Sequence, residues 1–339
     1  MSTQSKLESL ETVNPQAEWG DAQYAAQVTA LNQGAVICRL SQFRLLRVTG
    51  EDAATFLQGQ LSNDVRLLDG CNAQYTGYSS AKGRLLASSL CWKSEESYFL
   101  LVASDLAESI AKRLTMFIMR SKVKLSIDEA FCLFGFKGEQ AEMALTAKGY
   151  DLPIQPLQSA GYANGSMCIR LPSGGVLLAL GDAEAEVLRA GLPTTVTEIG
   201  DEAWSLLDIA AGIPWITAAT QEQFVAQMVN MDLFGAISFT KGCYPGQEII
   251  ARTRYLGKIK RRMYRVKLSI LSSAGGALYS PGMEGQSIGM IVNVARDADG
   301  QYQALAAIQS ASWDEGIYLD VDNKCSVENL SLPYSHVDE

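Results

Sequence analysis

The sequence has almost no histidine, and its few cysteines lie far apart. His336 is the single histidine in 339 residues. A Ser-His-Asp or Cys-His catalytic arrangement is not expected, because its base would have to come from a terminal segment. The seven cysteines are odd in number, and the closest two, Cys71 and Cys91, lie 20 positions apart. We expect free thiols, and no metal site is predicted because no zinc or iron–sulfur ligand spacing occurs.

Long apolar runs and nucleotide-binding motifs are also missing. No apolar run has the length that a helix needs to cross a bilayer, and residues 1–23 lack the apolar centre of a signal peptide. We therefore expect a cytoplasmic protein with no membrane partner. No GxGxxG follows a predicted strand and no GxxxxGK[ST] occurs, so a nucleotide-binding fold is not predicted.

Acidic residues outnumber basic ones, but the charge is unevenly distributed. The net charge is −9, which ordinarily argues against binding to nucleic acid. The stretch 249–267 nevertheless contains eight basic residues and no acid, and the stretch 112–124 contains five and no acid. For 249–267 an anionic partner and a solvated face are equally compatible interpretations, whereas for 112–124 a solvated face is favoured.

Strand-like and helix-like segments alternate irregularly. Residues 38–50 predict strands followed by a short helix that ends before Gly59, and turn residues at 79–83 predict a hairpin. The stretch 201–214 predicts a helix that ends at Gly212. Another helix is predicted from Ser104, with these residues on its buried face: Leu106, Ile110, Leu114, Phe117 and Ile118.

Three regions are predicted, since 339 residues exceed what one hydrophobic core usually organises. Residues 1–33 form a polar N-terminal leader, and residues 34–257 form a mixed α/β region. Residues 258–339 form a small all-β domain, because short strand-like runs alternate there with Gly, Pro, Ser and Asp clusters.

The segment KGCYPGQE, residues 241–248, places one cysteine where a reactive thiol is chemically reasonable. Its Pro-Gly pair predicts a turn, and a helix that begins at Gln247 and closes at Gly257 follows. A helix N-terminus and an adjacent lysine both lower the pKa of a thiol. Cys243 is thus either a reactive thiol or a small apolar residue in a turn. The candidate site comprises Lys241, Gly242, Cys243, Tyr244, Gly246, Gln247 and Glu248.

Several segments resemble those of the YgfZ family of folate-binding proteins, which are relatives of the aminomethyltransferase, or T-protein, of the glycine cleavage system. KGCYPGQE, preceded by GAISF and followed by the basic run, is similar to the family signature K-G-C-Y-x-G-Q-E. Further similarities lie in VTGEDAATFLQGQLSNDV, AKGR, WSLLDIAAGIPWI and LPYS. The resemblance runs from about Leu40 to the end of the printed chain.

This resemblance implies an α+β fold of three modules in a ring around a central cavity. Two interleaved α/β modules would form a folate site, and residues 258–339 would form a C-terminal β-barrel. The implied cofactor is tetrahydrofolate or its polyglutamates. The implied role is to support iron–sulfur enzymes and, through them, tRNA modification such as methylthiolation, with Cys243 as the working residue and no defined reaction of its own.

Two departures from the family pattern concern the site. The family associates folate with two tryptophans, of which Trp204 matches one, whereas Phe43 replaces the other and loses the indole N–H. Aminomethyltransferases carry an acid near the hairpin turn, but here Ser79 and Ser80 occupy it. A group that could orient the folate amine is therefore missing, which counts against methylene transfer.

Three functions stay open at this point. A folate-binding accessory protein for iron–sulfur and tRNA-modifying enzymes is favoured, and the alternatives are a folate-dependent aminomethyl transferase and a tRNA-binding module. The basic run also has two interpretations, the carboxylates of a polyglutamate tail or the phosphates of tRNA along residues 252–267. Its candidate contact residues are Arg252, Arg254, Lys258 and Lys260.

Overall fold

A computed structural model describes residues 21–336 except 256, 258 and 284. Most of the predicted leader and Lys258 therefore lie outside the described residues. The described helices are α1 (Asp21–Gln33), α2 (Ala53–Gln58), α3 (Ala107–Ile118), α4 (Glu139–Ala147), α5 (Asp182–Ala190), α6 (Asp201–Ala211) and α7 (Gln247–Tyr255). In this part of the chain, every helix is too short or too polar to span a membrane.

The strands are grouped in three sheets of mixed or antiparallel pairing. In chain order they are β1 (Ala35–Arg39), β2 (Phe43–Thr49), β3 (Ala73–Ser79), β4 (Leu85–Ser94), β5 (Ser97–Ala103), β6 (Lys124–Asp128), β7 (Phe131–Lys137), β8 (Ser159–Gly161), β9 (Met167–Arg170), β10 (Val176–Gly181), β11 (Val196–Ile199), β12 (Arg261–Leu268), β13 (Ala277–Leu278), β14 (Gly289–Arg296), β15 (Tyr302–Gln309) and β16 (Val327–Leu330).

The first sheet has the order β11-β1-β7-β10-β9-β8. Its only parallel pair in the described chain is β1 with β11, and the strand between β1 and β10 is glycine-containing β7. Helix α6 packs Trp204 against this sheet, and a Cβ on Gly135 would lie 2.4 Å from the indole. Glycine in β7 is therefore required for the helix to approach the sheet closely.

The second sheet, β3-β4-β5-β2-β6, is antiparallel throughout and is inserted in the chain between β1 and β7. Strands β4 and β5 are buried along nearly their whole length. Such continuous burial is expected of strands that are covered on both faces. The sheet and its neighbours share one large core that includes Leu46, Leu90 and Trp92.

The third sheet, β13-β14-β15-β12-β16, is built from the C-terminal part of the chain. Tyr318 forms bridges to Tyr279, next to β13, and to Ser326, next to β16, so the two edges of the sheet meet at this residue. A bulge in β14 turns Asn293 toward Trp215, and the Asn293 amide exchanges two hydrogen bonds of 2.8 and 2.9 Å with the Trp215 backbone. These bonds connect the C-terminal sheet to the segment that follows α6.

Most of the predicted elements are confirmed. The hairpin is β3–β4, the short helix ends at Gly59, and α6 ends at Gly212 with a left-handed φ of 67°. The predicted core face of α3 was wrong in one place, because Phe117 is 46% exposed while Leu106, Ile110 and Leu114 are buried. The helix begins at Ala107, three residues later than predicted.

Candidate functional site

The loop that carries Cys243 docks against the β3–β4 hairpin through two glycines. Gly246 has a φ of +80°, and a Cβ there would lie 2.7 Å from both the Gly83 Cα and the Ser80 carbonyl oxygen. On the other side, a Cβ on Gly83 would lie 2.8 Å from Ile249. Two motifs that are far apart in sequence, AKGR and KGCYPGQE, thus form one contact in which neither glycine can be replaced without strain.

Lys241 holds the beginning of the same loop in place. Its ammonium is buried and donates hydrogen bonds to the carbonyl oxygens of Gln58 at 2.7 Å, Asn63 at 3.1 Å and Leu61. Burial lowers the pKa of Lys241 to about 8, opposed by the nearby charge of Asp64. This lysine therefore anchors the loop to the end of α2.

Tyr244 lies on the buried side of the loop, beside that lysine. The Lys241 ammonium lies 4.9 Å from the centre of the Tyr244 ring, a cation–π contact. Burial raises the pKa of Tyr244 to about 12.

Cys243 lies between these buried anchors and is itself exposed. Gly242 has open space where a side chain would begin, and Glu248 in the first turn of α7 is exposed. Gln247, half-buried, begins α7 as predicted. Three other cysteines, Cys38, Cys91 and Cys168, are buried. Burial raises the pKa of those three thiols, so they behave as small core residues.

The basic run does not form a single surface. Arg252 and Arg254 are exposed on α7, and the Arg254 guanidinium lies 4.0 Å above the centre of the Phe239 ring. Tyr255 beside them is 67% exposed. Not every basic side chain of the run is exposed along β12, because Arg262 is buried in an ion pair of 2.8 Å with Asp232.

A cleft of about 430 Å³ opens between α6, β3 and the C-terminal tail. Its aromatic lining is a chain of ring contacts, Tyr75 to Phe234 at 5.8 Å and Phe234 to Tyr334 at 6.2 Å. The Tyr334 hydroxyl donates a 2.7 Å hydrogen bond to the carbonyl oxygen of Gly212. The Ser173 hydroxyl, also in the lining, is buried without a hydrogen-bond partner. The cleft thus offers aromatic faces together with an unused polar group.

The two residues predicted to flank a folate are both buried. Trp204 is 1% exposed and packs against Gly135 and Gly175, away from the lining of the cleft. Phe43 packs against Trp215 with ring centres 4.4 Å apart, and Trp215 in turn contacts Tyr75. Phe43 therefore supports the aromatic wall from behind, whereas Tyr75, Phe234 and Tyr334 form its surface.

Sequence reasoning missed a buried carboxyl group behind this wall. Asp208 on α6 accepts a 2.9 Å hydrogen bond from the Trp215 indole N–H. Burial raises the pKa of Asp208 to about 7. Its position on the apolar face of a helix, one turn after Trp204, was a signal that could have been noticed.

The hairpin turn that lacks the acid presents buried hydroxyl groups instead. Ser79 and Ser80 are buried, and neither side chain has a hydrogen-bond partner. Strand β3 runs from the cleft to this turn. Along the strand, Tyr75 in the cleft lies roughly 17 Å from Ser80 in the turn. Across residues 21–336, apart from the three gaps, no cluster of three or more His, Cys, Asp or Glu side chains could hold a metal.

The architecture is that of an aminomethyltransferase. The chain superimposes on the glycine cleavage system aminomethyltransferase T of Bartonella henselae with a TM-score of 0.77, covering 93% of this chain and 89% of the other at 18% identity. No protein-family model matches the chain.

A relative in sequence is more specific. The tRNA-modifying protein YgfZ of Edwardsiella ictaluri, strain 93-146, is 32% identical over 306 residues, which cover 88% of this chain and 92% of that protein. The chain therefore belongs to the YgfZ family of tRNA-modifying proteins.

Proposed function

We propose that this protein binds a reduced folate in the cleft and uses the thiol of Cys243 to support iron–sulfur enzymes that modify tRNA. Membership in a family of tRNA-modifying proteins supports the link to tRNA. The aminomethyltransferase fold and the resemblance of its motifs to folate-binding proteins support the ligand.

The observation that carries this proposal is an exposed thiol on a rigidly anchored loop. A cysteine that only fills volume is usually buried, as Cys38, Cys91 and Cys168 are. Cys243 is instead held outward between the buried Lys241 and the glycine contact of Gly246. Anchors on both sides keep the sulfur in one place, as a group that must meet a partner requires.

The cleft suits tetrahydrofolate in size and in chemistry. Its volume of about 430 Å³ is within the range of small-molecule sites, about 300–1,000 Å³. Phe234 and Tyr334, both partly exposed in the lining, offer rings on which a pterin can stack.

The proposal is tested by complementation in cells that lack the native family member, with tRNA methylthiolation as the readout. Cys243→Ser should abolish restoration. Cys71→Ser, at the other exposed cysteine, should restore it fully and serves as the matched control. Tetrahydrofolate titration should give equal affinity for both variants. Full restoration by Cys243→Ser would contradict the role of the thiol, and no saturable folate binding by the unmodified protein would contradict the ligand.

Direct contact with tRNA is a second candidate, favoured by one observation. Arg252 and Arg254 are exposed next to the half-buried Phe239 and the exposed Tyr255, and exposed cations beside aromatic rings are typical of surfaces that bind unpaired nucleotides. The alternative ligand is the polyglutamate tail of folate.

Titrations with tRNA and with folates distinguish between the two ligands. They use the double variant Arg252→Gln/Arg254→Gln, with Lys148→Gln as an exposed control. If the surface binds tRNA, the double variant should weaken tRNA binding and reduce its salt dependence. If it binds the tail, the double variant should weaken triglutamyl but not monoglutamyl tetrahydrofolate. Equal behaviour of the double variant and the control in both titrations would exclude the surface from either role.

A further inference from the structure

The last turn of α3 and the residue that follows it expose three large apolar side chains that the fold does not cover. Met116 is 63% exposed, Phe117 46% and Met119 88%. The opposite face of the helix, with Ile110 and Leu114, is fully buried. Single exposed apolar residues are common, but a group of three within four positions, all of them large, marks an interaction surface.

Basic residues frame this group. Lys112 lies one turn before Met116 on the helix, and Arg120 follows Met119 just beyond the end of the helix, and both are exposed. Lys122 is paired with Glu51 at 2.7 Å, but among the described residues neither Lys112 nor Arg120 has an ion-pair partner. No acid occurs between Glu108 and Asp128. We call Lys112, Met116, Phe117, Met119 and Arg120 the basic–apolar patch.

Met119, the most exposed of these side chains, lies at a strained backbone position at the end of α3. Met119 has a φ of 45° and a ψ of −105°, outside the helical regions. A side chain at such a positive φ costs about 1–3 kcal/mol. Nothing in the described core gains from this arrangement, because the methionine is 88% exposed.

We propose that the basic–apolar patch is a docking surface for an acidic amphipathic helix of a partner protein. The apolar side chains of such a helix, spaced at i, i+3 and i+4, would cover Met116, Phe117 and Met119. Its carboxylates would pair with Lys112 and Arg120. Methionine is suited to this role because its flexible, polarisable side chain adapts to a partner surface.

Two other classes of partner fit the patch less well. An anionic bilayer fits less well because the helix buries its main apolar face in the core rather than offering it to lipid. RNA is recognised by stacking on planar groups, and of the three apolar side chains only Phe117 is planar.

The test uses methionine methyl NMR on the full chain, with a synthetic helical peptide of about five turns as the probe. The peptide carries leucines at i, i+3, i+4 and i+7 and glutamates on its flanks. We expect it to shift the methyl signals of Met116 and Met119 in a saturable way. Met143, which is also 63% exposed but lies on the acidic helix α4, should not move. A peptide with lysines in place of the glutamates should not bind.

The affinity should fall about tenfold or more in Phe117→Ser/Met119→Ser, since the burial of two large apolar side chains is lost. Both residues are exposed, so the fold should be retained. The proposal is overturned if the acidic peptide leaves Met116 and Met119 unmoved, or if it shifts Met143 equally. It is also overturned if vesicles of phosphatidylglycerol or a tRNA transcript shift the patch signals where the peptide does not.

Discussion

At the residue scale, buried ionisable groups set the chemistry around both parts of the candidate site. The ammonium of Lys241 is surrounded by carbonyl oxygens beneath the Cys243 loop, and the carboxyl of Asp208 lies behind the aromatic wall of the cleft. Both groups are nearly inaccessible to water, so each is kept in place by the groups it contacts. Each also makes a measurable contribution to stability.

Lys241→Met should destabilise the fold by about 2–4 kcal/mol, because three carbonyl oxygens lose a charged donor while the apolar stem is kept. Urea denaturation measures the loss. Lys82→Met, at an exposed lysine in the neighbouring hairpin, should leave the midpoint unchanged. Equal midpoints for Lys241→Met and the unmodified chain would show that the three bonds do not anchor the loop.

Asp208→Asn should make the fold more stable at neutral pH. The pKa of Asp208 is about 7 in the folded chain and near 3.8 when unfolded, so between pH 4 and 7 the folded state binds a proton that the unfolded state does not. The unmodified protein therefore loses stability as pH rises through this window, by up to about 4 kcal/mol, whereas the amide does not titrate.

The measurement is the difference in unfolding free energy between Asp208→Asn and the unmodified chain at several pH values. The difference should grow from pH 4 to 7 and stay constant above. Asp151→Asn, at an exposed position, is the control for the removal of a surface carboxylate. A difference independent of pH would mean that the carboxyl of Asp208 is not buried in its protonated form.

At the element scale, local patterns predicted helices and turns well where several signals agreed. Helix α6 had acids in its first turn, an apolar face and Gly212 at its end, and it was predicted over its full length. Helix α3 had a regular apolar stripe, but one of its members, Phe117, is exposed, while the next residue, Ile118, packs against the core. Periodicity identifies a helix, whereas the extent of its burial depends on the neighbouring layer.

The contact between the Cys243 loop and the hairpin could not be predicted, because it joins two turns that are more than 150 residues apart in sequence. Gly246→Ala should cost about 2–4 kcal/mol through its positive φ and the clash with Gly83. Gly242→Ala, four positions away at a glycine with open space around it, should change stability by less than about 0.5 kcal/mol.

Thermal unfolding of the two variants gives the comparison, and the rate of Cys243 alkylation reports on the loop. We expect Gly246→Ala to lower Tm and to change the alkylation rate, while Gly242→Ala does neither. If the two alanine variants unfold at the same temperature, the docking of the loop on the hairpin contributes nothing to the fold.

At the scale of the whole molecule, the sequence predicted the class of fold and the all-β texture of the C-terminal part, because its short strands are separated by clear turn residues. It did not predict the parallel pairing of β1 with β11, which brings together residues about 160 positions apart. It also named Trp204 and Phe43 as the aromatic residues that flank a folate; both are buried in the structure, and the aromatic residues that line the cleft are Tyr75, Phe234 and Tyr334. Residue type alone does not distinguish an aromatic lining residue from one packed behind it.

Tyr334→Ala should weaken tetrahydrofolate binding by about tenfold, since it removes one face of the cleft and the hydrogen bond to Gly212. Tyr334→Phe should have a smaller effect because the ring stays in place. Burial raises the pKa of Tyr334 to about 12, so the hydroxyl remains a donor at physiological pH. Fluorescence titration measures the affinities, with Tyr255→Phe, outside the cleft, as the control; unchanged affinity in Tyr334→Ala would remove the tail from the ligand site.

The tail contact also determines when the cleft can form during synthesis of the chain. Pro333 and Tyr334 line a cleft whose other walls come from β3 and α6, which are synthesised much earlier. On the ribosome, the nascent chain can pair the strands of its first two sheets while this wall is still missing. The cleft becomes complete only after translation has passed position 334, so a ligand held there would stabilise finished chains and leave truncated ones without its protection.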